Sequence, residues 1–588
     1  MVAVRRLGRR IMLGTEAAIS RGVGGYQVGN SLLLNSQNSS YLTRDPPTAG
    51  SSGERTFTIS MWVKRAKLGT TQCLIQAGFS TTSYGGITIQ SSDVYDWFDY
   101  PGSYQSQLQT AGKQRDPADW QHLVFRFDST QADATLRNRI YIDGVEVDYG
   151  TVNRPSLNDN HFLTGTYLHQ IGRKIGASDY NDMYYSEVVM LDNVSADPTA
   201  FGEWNKKAPN VWQPKDLSNL DFSGVNSCYL NFADPNDIGK DVSGNGNSWT
   251  PVNLASTDVV TDTPTNNAST FSPLKTSGTL SEGNRHWLNT GSNGVSSIEV
   301  SSGKWYVEIE MLVAPGTASY VGVMDSTGGY NSINASNFGW GYRSNGNKYY
   351  GTLAENYGAN WNVLGAILGI ALDLDAGTVE YFVDNVSQGI AHSNLIAGSY
   401  CFAAKGSTGS HKFYMRCNED ELTYTPPTGF NALMAKYLPE PTILDAKQYF
   451  DPVAYTGDGI DGRTIETRNL CNHVIIKNRD VAWNWRVWDD ERNLPSDWPS
   501  QTLMWDTNSQ QGLEFSMRSG GNTGMVIGPG GAINDPNNKY IMYPFTKSPI
   551  AGLDIVIYTG DKVAGRQVTH NIGVAPDRMF VKQLTSNN

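Results

Sequence analysis

The sequence predicts an all-β protein: tandem antiparallel β-sandwiches followed by smaller β-rich modules. Three observations carry this. First, charged residues make up only 17% of the 588 positions, while aromatics reach 11% and glycine fills 60. Long solvent-exposed helices need many Glu, Lys and Arg; turn-rich sheet with aromatic cores does not. Second, apolar residues alternate along short segments with no helical interlude. Third, a motif near the C-terminus recurs after about a hundred residues, a spacing that suits serial modules. A chain this long also exceeds what one core can organise.

Residues 1–22 form a basic arm. Arg5, Arg6, Arg9 and Arg10 crowd the start of a chain whose net charge is −12, and Ala3, Leu7 and Ile11 fall at helical spacing. Two readings stand: a frayed terminus, or a docking peg that uses Arg5, Arg6, Leu7, Arg9, Arg10 and Ile11. The arm has the charge of a signal peptide without its apolar run.

Residues 23–215 read as a first sandwich. Phe57-Thr-Ile-Ser-Met-Trp-Val-Lys64 sets Phe57, Ile59, Met61 and Val63 on one face and Trp62 on the other, so both faces need cover. Segments 85–90, 120–127 and 139–144 repeat the theme, and Asp143-Gly144 reads as a hairpin turn. Residues 216–280 read as a polar connector with some order: 228–232 suits a strand, and 241–247 and 263–267 suit turns.

Residues 281–435 read as a second sandwich. Its signals are segments 303–310, 321–323, 338–342, 369–375 and 378–384, the last two joined at Asp375-Ala-Gly377. Residues 436–550 form a β-rich module and 551–588 begin a second. Tyr455-Thr-Gly-Asp-Gly-Ile-Asp-Gly-Arg463 recurs as Tyr558-Thr-Gly-Asp-Lys-Val-Ala-Gly-Arg566, and strand-like segments 474–477 and 580–582 follow. The second copy is short. Either the natural polypeptide continues or a neighbouring chain supplies the missing strands.

Several motifs carry a resemblance. The segment from Phe57, Trp120-Gln-His-Leu-Val and Tyr141-Ile-Asp-Gly-Val-Glu-Val resemble a laminin G-like, concanavalin A-type jelly roll. Val188-Val-Met-Leu-Asp, Asp197-Pro-Thr-Ala-Phe-Gly and Val211-Trp-Gln-Pro-Lys resemble its form in bacteriophage tail-fibre and related virion proteins. The second unit resembles a SPRY domain, with Tyr424-Thr-Pro-Pro-Thr-Gly-Phe430 similar to the phage-associated form. The resemblance implies a phage tail fibre, usually a homotrimer, that is made in the host cytoplasm and mediates attachment. The arm would then meet other virion proteins of the tail or nozzle. The alternatives are a capsid decoration protein or head fibre, and a polysaccharide depolymerase.

The acidic balance argues against nucleic-acid binding or an anionic membrane surface as a general partner. The longest apolar run, 363–372, falls short of the roughly 20 residues of a membrane span. Cys73, Cys228, Cys401, Cys417 and Cys471 occur singly and read as buried thiols of a reducing compartment; whether Cys401 and Cys417 meet across strands stays open. Two phosphate-loop lookalikes, 457–464 and 560–567, carry Arg463 and Arg566 where lysine belongs, with β-like sequence following. No H-E-x-x-H or G-x-S-x-G occurs, and Glu308 and Glu310 read as edge carboxylates rather than an acid/base pair. The expectation is therefore binding, not catalysis, and no cofactor beyond a calcium candidate at Asp234, Asn236, Asp237 and Asp241. The glycan-binding candidates are Trp97, Tyr100, Tyr349, Tyr350, Tyr357 and Trp361, whose rings suit the apolar face of a pyranose.

Overall fold

The computed structural model describes residues 2–4, 25–45, 55–177, 179–206, 208, 211–288, 293–313, 318–330, 333–334, 337–393, 395, 398–406, 411–439, 443–492, 500–507, 512–514, 517–521, 524–576 and 578–584. Arg5, Arg6, Leu7, Arg9, Arg10 and Ile11 lie outside them. The chain forms two compact units. One, residues 10–205 and 211–440, holds both sandwiches; the other is 1–9, 206–210 and 441–588.

The first sandwich pairs two antiparallel sheets. One runs Val145–Glu146, Asn138–Ile142, Gln121–Asp128, Thr56–Arg65, Met183–Asp192, Ser31–Leu34, Val259–Val260, with Cys228–Leu230 also on Met183–Asp192. The other runs Tyr149–Asn153, Ser106–Thr110, Tyr95–Tyr100, Ser83–Ile89, Gln72–Ser80, Leu168–Ile171, Tyr41–Arg44, Thr250–Val252. Phe57, Ile59, Met61 and Val63 point between the sheets, against Ile75, Ile87, Tyr95 and Trp97. Trp62 turns the other way and packs with Leu33, Trp120, Tyr184, Trp212 and Val260. Each such burial is worth about 1.5–3 kcal/mol in area terms, so the two-sided pattern of this strand is satisfied on both sides.

The stretch 216–280 is not a free connector. Cys228–Leu230, Thr250–Val252 and Val259–Val260 pair into both sheets of the first sandwich. A buried charge also ties it to the sandwich. Lys64 Nζ donates to Asp262 Oδ2 (2.8 Å), Asn267 Oδ1 (2.7 Å) and the Ala268 carbonyl (2.9 Å). Trp120 Nε1 donates to the other Asp262 oxygen at 3.1 Å. A lysine with a 1% exposed side chain needs such partners, because an unpaired buried ion is costly.

The second sandwich has one sheet ordered Thr279–Ser281, His286–Leu288, Lys412–Arg416, Lys304–Met311, Ile367–Asp373, Thr378–Val383, Val386–His392. The facing sheet runs Asn293–Val295, Tyr400–Gly406, Ser319–Asp325, Gly339–Arg343, Asn347–Tyr350, Leu353–Asn356. Trp287, Trp305, Val307, Ile309, Val321, Val323, Leu368, Ile370 and Phe402 fill the space between. The Asp375-Ala-Gly377 turn joins Ile367–Asp373 to Thr378–Val383 as expected, with Gly377 at φ +67°.

In the C-terminal unit one sheet runs Val453–Thr456, Lys539–Phe545, His473–Asn478, Arg486–Asp489, Ser500–Met504, Gly512–Glu514 and packs beside Arg463–Glu466, Gly524–Ile527 and Met517–Gly521. Strand Arg463–Glu466 begins at the last two residues of the first phosphate-loop lookalike, where a helix would be needed. The twin turns are built alike. Arg463 and Arg566 each donate to the carbonyl seven residues back, of Thr456 and Thr559, and pair at 3.3 Å with Asp458 and Asp561. The helical spacing through Ala3 is corrected: Val2–Val4 is a strand between Leu553–Ile555 and Arg578–Phe580. Backbone pairing on both sides outweighs a three-residue helical periodicity. All five cysteines are buried and unpaired; Cys401 and Cys417 lie in different clusters. Among the described residues, no helix is long and apolar enough to cross a membrane.

Candidate functional site

The two outer faces of the first sandwich differ. The face carrying Trp62 is roofed by later chain: Phe201, Trp212, Leu217 and Tyr229 bury its apolar residues. The other outer face is polar and aromatic where Ser83–Ile89, Tyr95–Tyr100 and Ser106–Thr110 lie side by side. Tyr95–Tyr100 is a strand, and its alternation decides each side chain. Trp97 faces inward, 1% exposed, with its indole Nε1 donating to His161 Nε2 at 3.1 Å. Its candidacy as a sugar platform is withdrawn, because a ring in the core cannot stack on a ligand. Asp96, Phe98 and Tyr100 lie on the opposite side of the strand, where neighbouring side chains cover Asp96 and Phe98 and leave Tyr100 part-exposed.

Register assembles the outward group. Tyr84 pairs with Tyr100, Gly86 with Phe98 and Thr88 with Asp96; Gln107 and Gln109 oppose Phe98 and Asp96. Glycine at 86 fits the crowding, since a Cβ there would lie 2.4 Å from Gln76 Cγ. The rings of Tyr84, Phe98, Tyr100 and Tyr104 contact one another at 5.0–5.9 Å between centroids, largely edge to face. Tyr104 is 50% exposed and was not singled out from sequence; it lies beyond the strand, where alternation says nothing.

Beside the rings sits a carboxylate held by amides. Gln90 Nε2 donates to Asp96 Oδ2 at 2.7 Å, and Gln107 Nε2 donates to Oδ1 and Oδ2 at 3.1 and 3.2 Å. Thr151 Oγ1 donates to Gln109 Oε1 at 2.8 Å, which fixes that amide too. Burial raises the Asp96 pKa, against these donors, which lower it. The product is a preorganised strip of amide groups next to half-exposed Tyr104 and part-exposed Tyr84 and Tyr100.

A second surface lies on the second sandwich. A cleft of about 430 Å³ sits between the sandwiches, lined by polar groups including Arg285, His286 and Glu421, and another of about 390 Å³ opens on the second sandwich alone. Trp340, Lys348, Tyr350, Leu353, Glu355 and His392 line the latter. Tyr350, a sequence candidate, is 40% exposed and tilts against Trp340 at 5.5 Å. Lys348 Nζ donates to the Ala391 carbonyl at 2.9 Å and pairs with Glu355 at 3.2 Å. Burial, with Lys348 nearby, lowers the His392 pKa to about 4. The other candidates part company. Tyr349 packs on Tyr320 and accepts from Arg343; Tyr357 wedges against Tyr342 and Tyr381. Trp361 is 1% exposed in the core, so its candidacy is also withdrawn.

The calcium candidates do not converge. Both Asp241 oxygens are taken up by backbone amides: Oδ1 accepts from Tyr229 and Ser243 (2.9 Å each) and Oδ2 from Asn247 (2.8 Å). Asp234 Oδ1 accepts from the Asn236 amide at 3.0 Å, an Asx turn. Asp234 and Asp237 border a shallow recess with Lys240, and among the described residues no group of three or more His, Cys, Asp or Glu is poised for a metal.

Glu308 is fully buried and accepts the Thr423 and Tyr424 amides at 2.7 and 2.9 Å; Glu310 pairs with Arg416. The buried Ser60–His122 contact, 2.8 Å to Nε2, has the wrong polarity for a nucleophile. Trp212 Nε1 donates to Nδ1 at 2.9 Å, so Nε2 carries the proton and donates to the serine.

The concanavalin A-like lectin/glucanases superfamily matches residues 36–195, a span that contains the whole Tyr84–Tyr104 surface. No curated protein matches the chain. Among solved structures, the chain is similar to the SPRY domain of human HERC1, at 18% identity over 26% of this chain and 99% of that one, with a TM-score of 0.23. It is also similar to stonustoxin (19%, 25% and 27%, TM-score 0.22) and to the PSpry domain of TRIM65 (14%, 25% and 92%, TM-score 0.22).

Proposed function

We propose that this chain is a bacteriophage attachment protein, a tail fibre that binds host-surface glycans through the outer face of its first sandwich. The observation that carries the reading is the strip of part-exposed Tyr84, Tyr100 and Tyr104 packed on buried Phe98, beside the glutamines that hold Asp96, within a span similar to a lectin-containing superfamily. A tyrosine ring offers a flat apolar surface to a pyranose, and fixed amides offer donors and acceptors to its hydroxyls without losing rotamer freedom on binding. The virion setting and the homotrimer rest on the motifs that resemble phage fibres. Three weak sites held together would gain roughly 10²–10⁴ in avidity.

The reading is adhesive rather than hydrolytic. It is supported by Glu308 and Glu310 being engaged by backbone amides and by Arg416, which leaves them no free acid/base role. Glycan-array binding of the full chain tests it. Tyr104→Ala and Tyr100→Ala should each weaken the best glycan at least tenfold while the unfolding temperature stays unchanged. An array without any glycan bound, or binding indifferent to both substitutions, would overturn it. Antibody labelling of intact particles tests the setting: label at the tail supports a fibre, label over the head supports a capsid decoration.

A further inference from the structure

The C-terminal unit, separate from both sandwiches, contains a pocket of about 520 Å³, within the size range of small-ligand sites. At its base is His473, the first residue of His473–Asn478, only 2% exposed. Among the described residues, neither of its ring nitrogens has a hydrogen-bond partner. Burial, opposed by nearby Asp489, lowers its pKa to about 4, so the imidazole is neutral near pH 7 and presents one donor and one acceptor. Buried polar atoms left without partners are costly, and this ring carries two.

The surroundings say what would satisfy them. Asp489 and Arg492 form a buried ion pair at 2.6 Å, so the site brings charge already neutralised and has no need of an ionic ligand. Val487, Leu503 and Ile555 supply apolar wall. The Trp505 ring is 5.7 Å from His473 and 5.5 Å from Phe580, and both rings are part-exposed, at 36% and 47%. A matching ligand is neutral, has one apolar face, and carries groups that both donate and accept.

We propose that this pocket binds a neutral pyranose unit, its apolar face on Trp505 and its hydroxyls on His473 and Asp489. A hydroxyl meets either imidazole nitrogen, which neither an aliphatic chain nor an ammonium group can do. The site is independent of the first-sandwich surface and stands whether or not that surface binds sugar.

The test uses the full chain labelled with ¹⁵N-histidine. It has eight histidines, and the His473 ring signals are assigned by their loss in His473→Asn. The probes are the methyl glycosides of glucose, galactose, mannose and N-acetylglucosamine. At least one should shift the His473 signals saturably, with affinity reduced at least tenfold in Trp505→Ala, partly in Trp505→Phe, and unchanged in Tyr104→Ala. The aromatic-to-aromatic variant guards against misfolding. Failure of all four sugars to move His473 overturns the proposal, as does unaltered binding in both Trp505 variants. Loss of the shift in Tyr104→Ala would assign the sugar to the first sandwich instead.

Discussion

Glu187 sits at a bulge in Met183–Asp192, with φ +49° and 4% exposure, and accepts from the Tyr229 hydroxyl at 2.5 Å. Burial raises its pKa to about 7, only partly offset by that hydrogen bond. The sign follows from linkage: the folded form holds a proton that the unfolded chain releases above about 4.5. Stability therefore falls as pH rises from 4.5 to 7 and levels off above it. Glu187→Gln keeps an acceptor for Tyr229 and removes the proton. It should unfold with the wild type at pH 4 but resist urea better at pH 8, by up to about 3 kcal/mol. Equal stability at both pH values would show that the carboxyl ionises in place. Neither this group nor Tyr104 was legible in the sequence, because each depends on what covers it. Aromatic clustering singled out Tyr100 and Tyr350, which reach the surface, but equally Trp97 and Trp361, which do not. Composition cannot tell an inward ring from an outward one when the strand phase is unknown.

Strand phase was legible wherever alternation was strict. Phe57 to Val63 fixed one face, and the observed Thr56–Arg65 overshoots the expectation by two residues in all. Turn chemistry was equally legible at Asp143-Gly144, where φ is +48° and +79° between Asn138–Ile142 and Val145–Glu146. It was missed at Asp384-Asn385, which has φ +47° and +68° between Thr378–Val383 and Val386–His392, because asparagine announces a left-handed residue less plainly than glycine. The two turns predict opposite outcomes. A Cβ on Gly144 would meet the Trp212 ring at 2.6 Å, so Gly144→Ala combines strain with a clash and should cost about 2–4 kcal/mol in thermal unfolding. Asn385 is exposed, so Asn385→Gly should change stability by less than about 0.5 kcal/mol. A Gly144→Ala variant as stable as Asn385→Gly would mean that neither the positive φ nor the Trp212 contact sets a cost there.

At the scale of the whole chain, what sequence reading lost was ownership. The 216–280 stretch reads as polar loop because its defining residues, Asp262 and Asn267, are polar. Their partner, Lys64, lies about 200 residues earlier, and no local pattern links them. The consequence is a boundary that can be checked by cutting. A fragment of residues 25–215 keeps Lys64 but removes all three of its acceptors, along with strands Cys228–Leu230, Thr250–Val252 and Val259–Val260. Stranding one member of a buried pair costs about 3–5 kcal/mol, a large part of the 5–15 kcal/mol that holds a typical domain. That fragment should be insoluble or lack near-ultraviolet dichroism, whereas residues 25–270 should unfold cooperatively with heat. In the intact chain Asp262→Ala should reproduce the loss, and adding Lys64→Met should recover part of it, since two apolar groups leave no ion unpaired. Recovery would place the cost in the stranded charge; without recovery, the missing strands themselves would carry it.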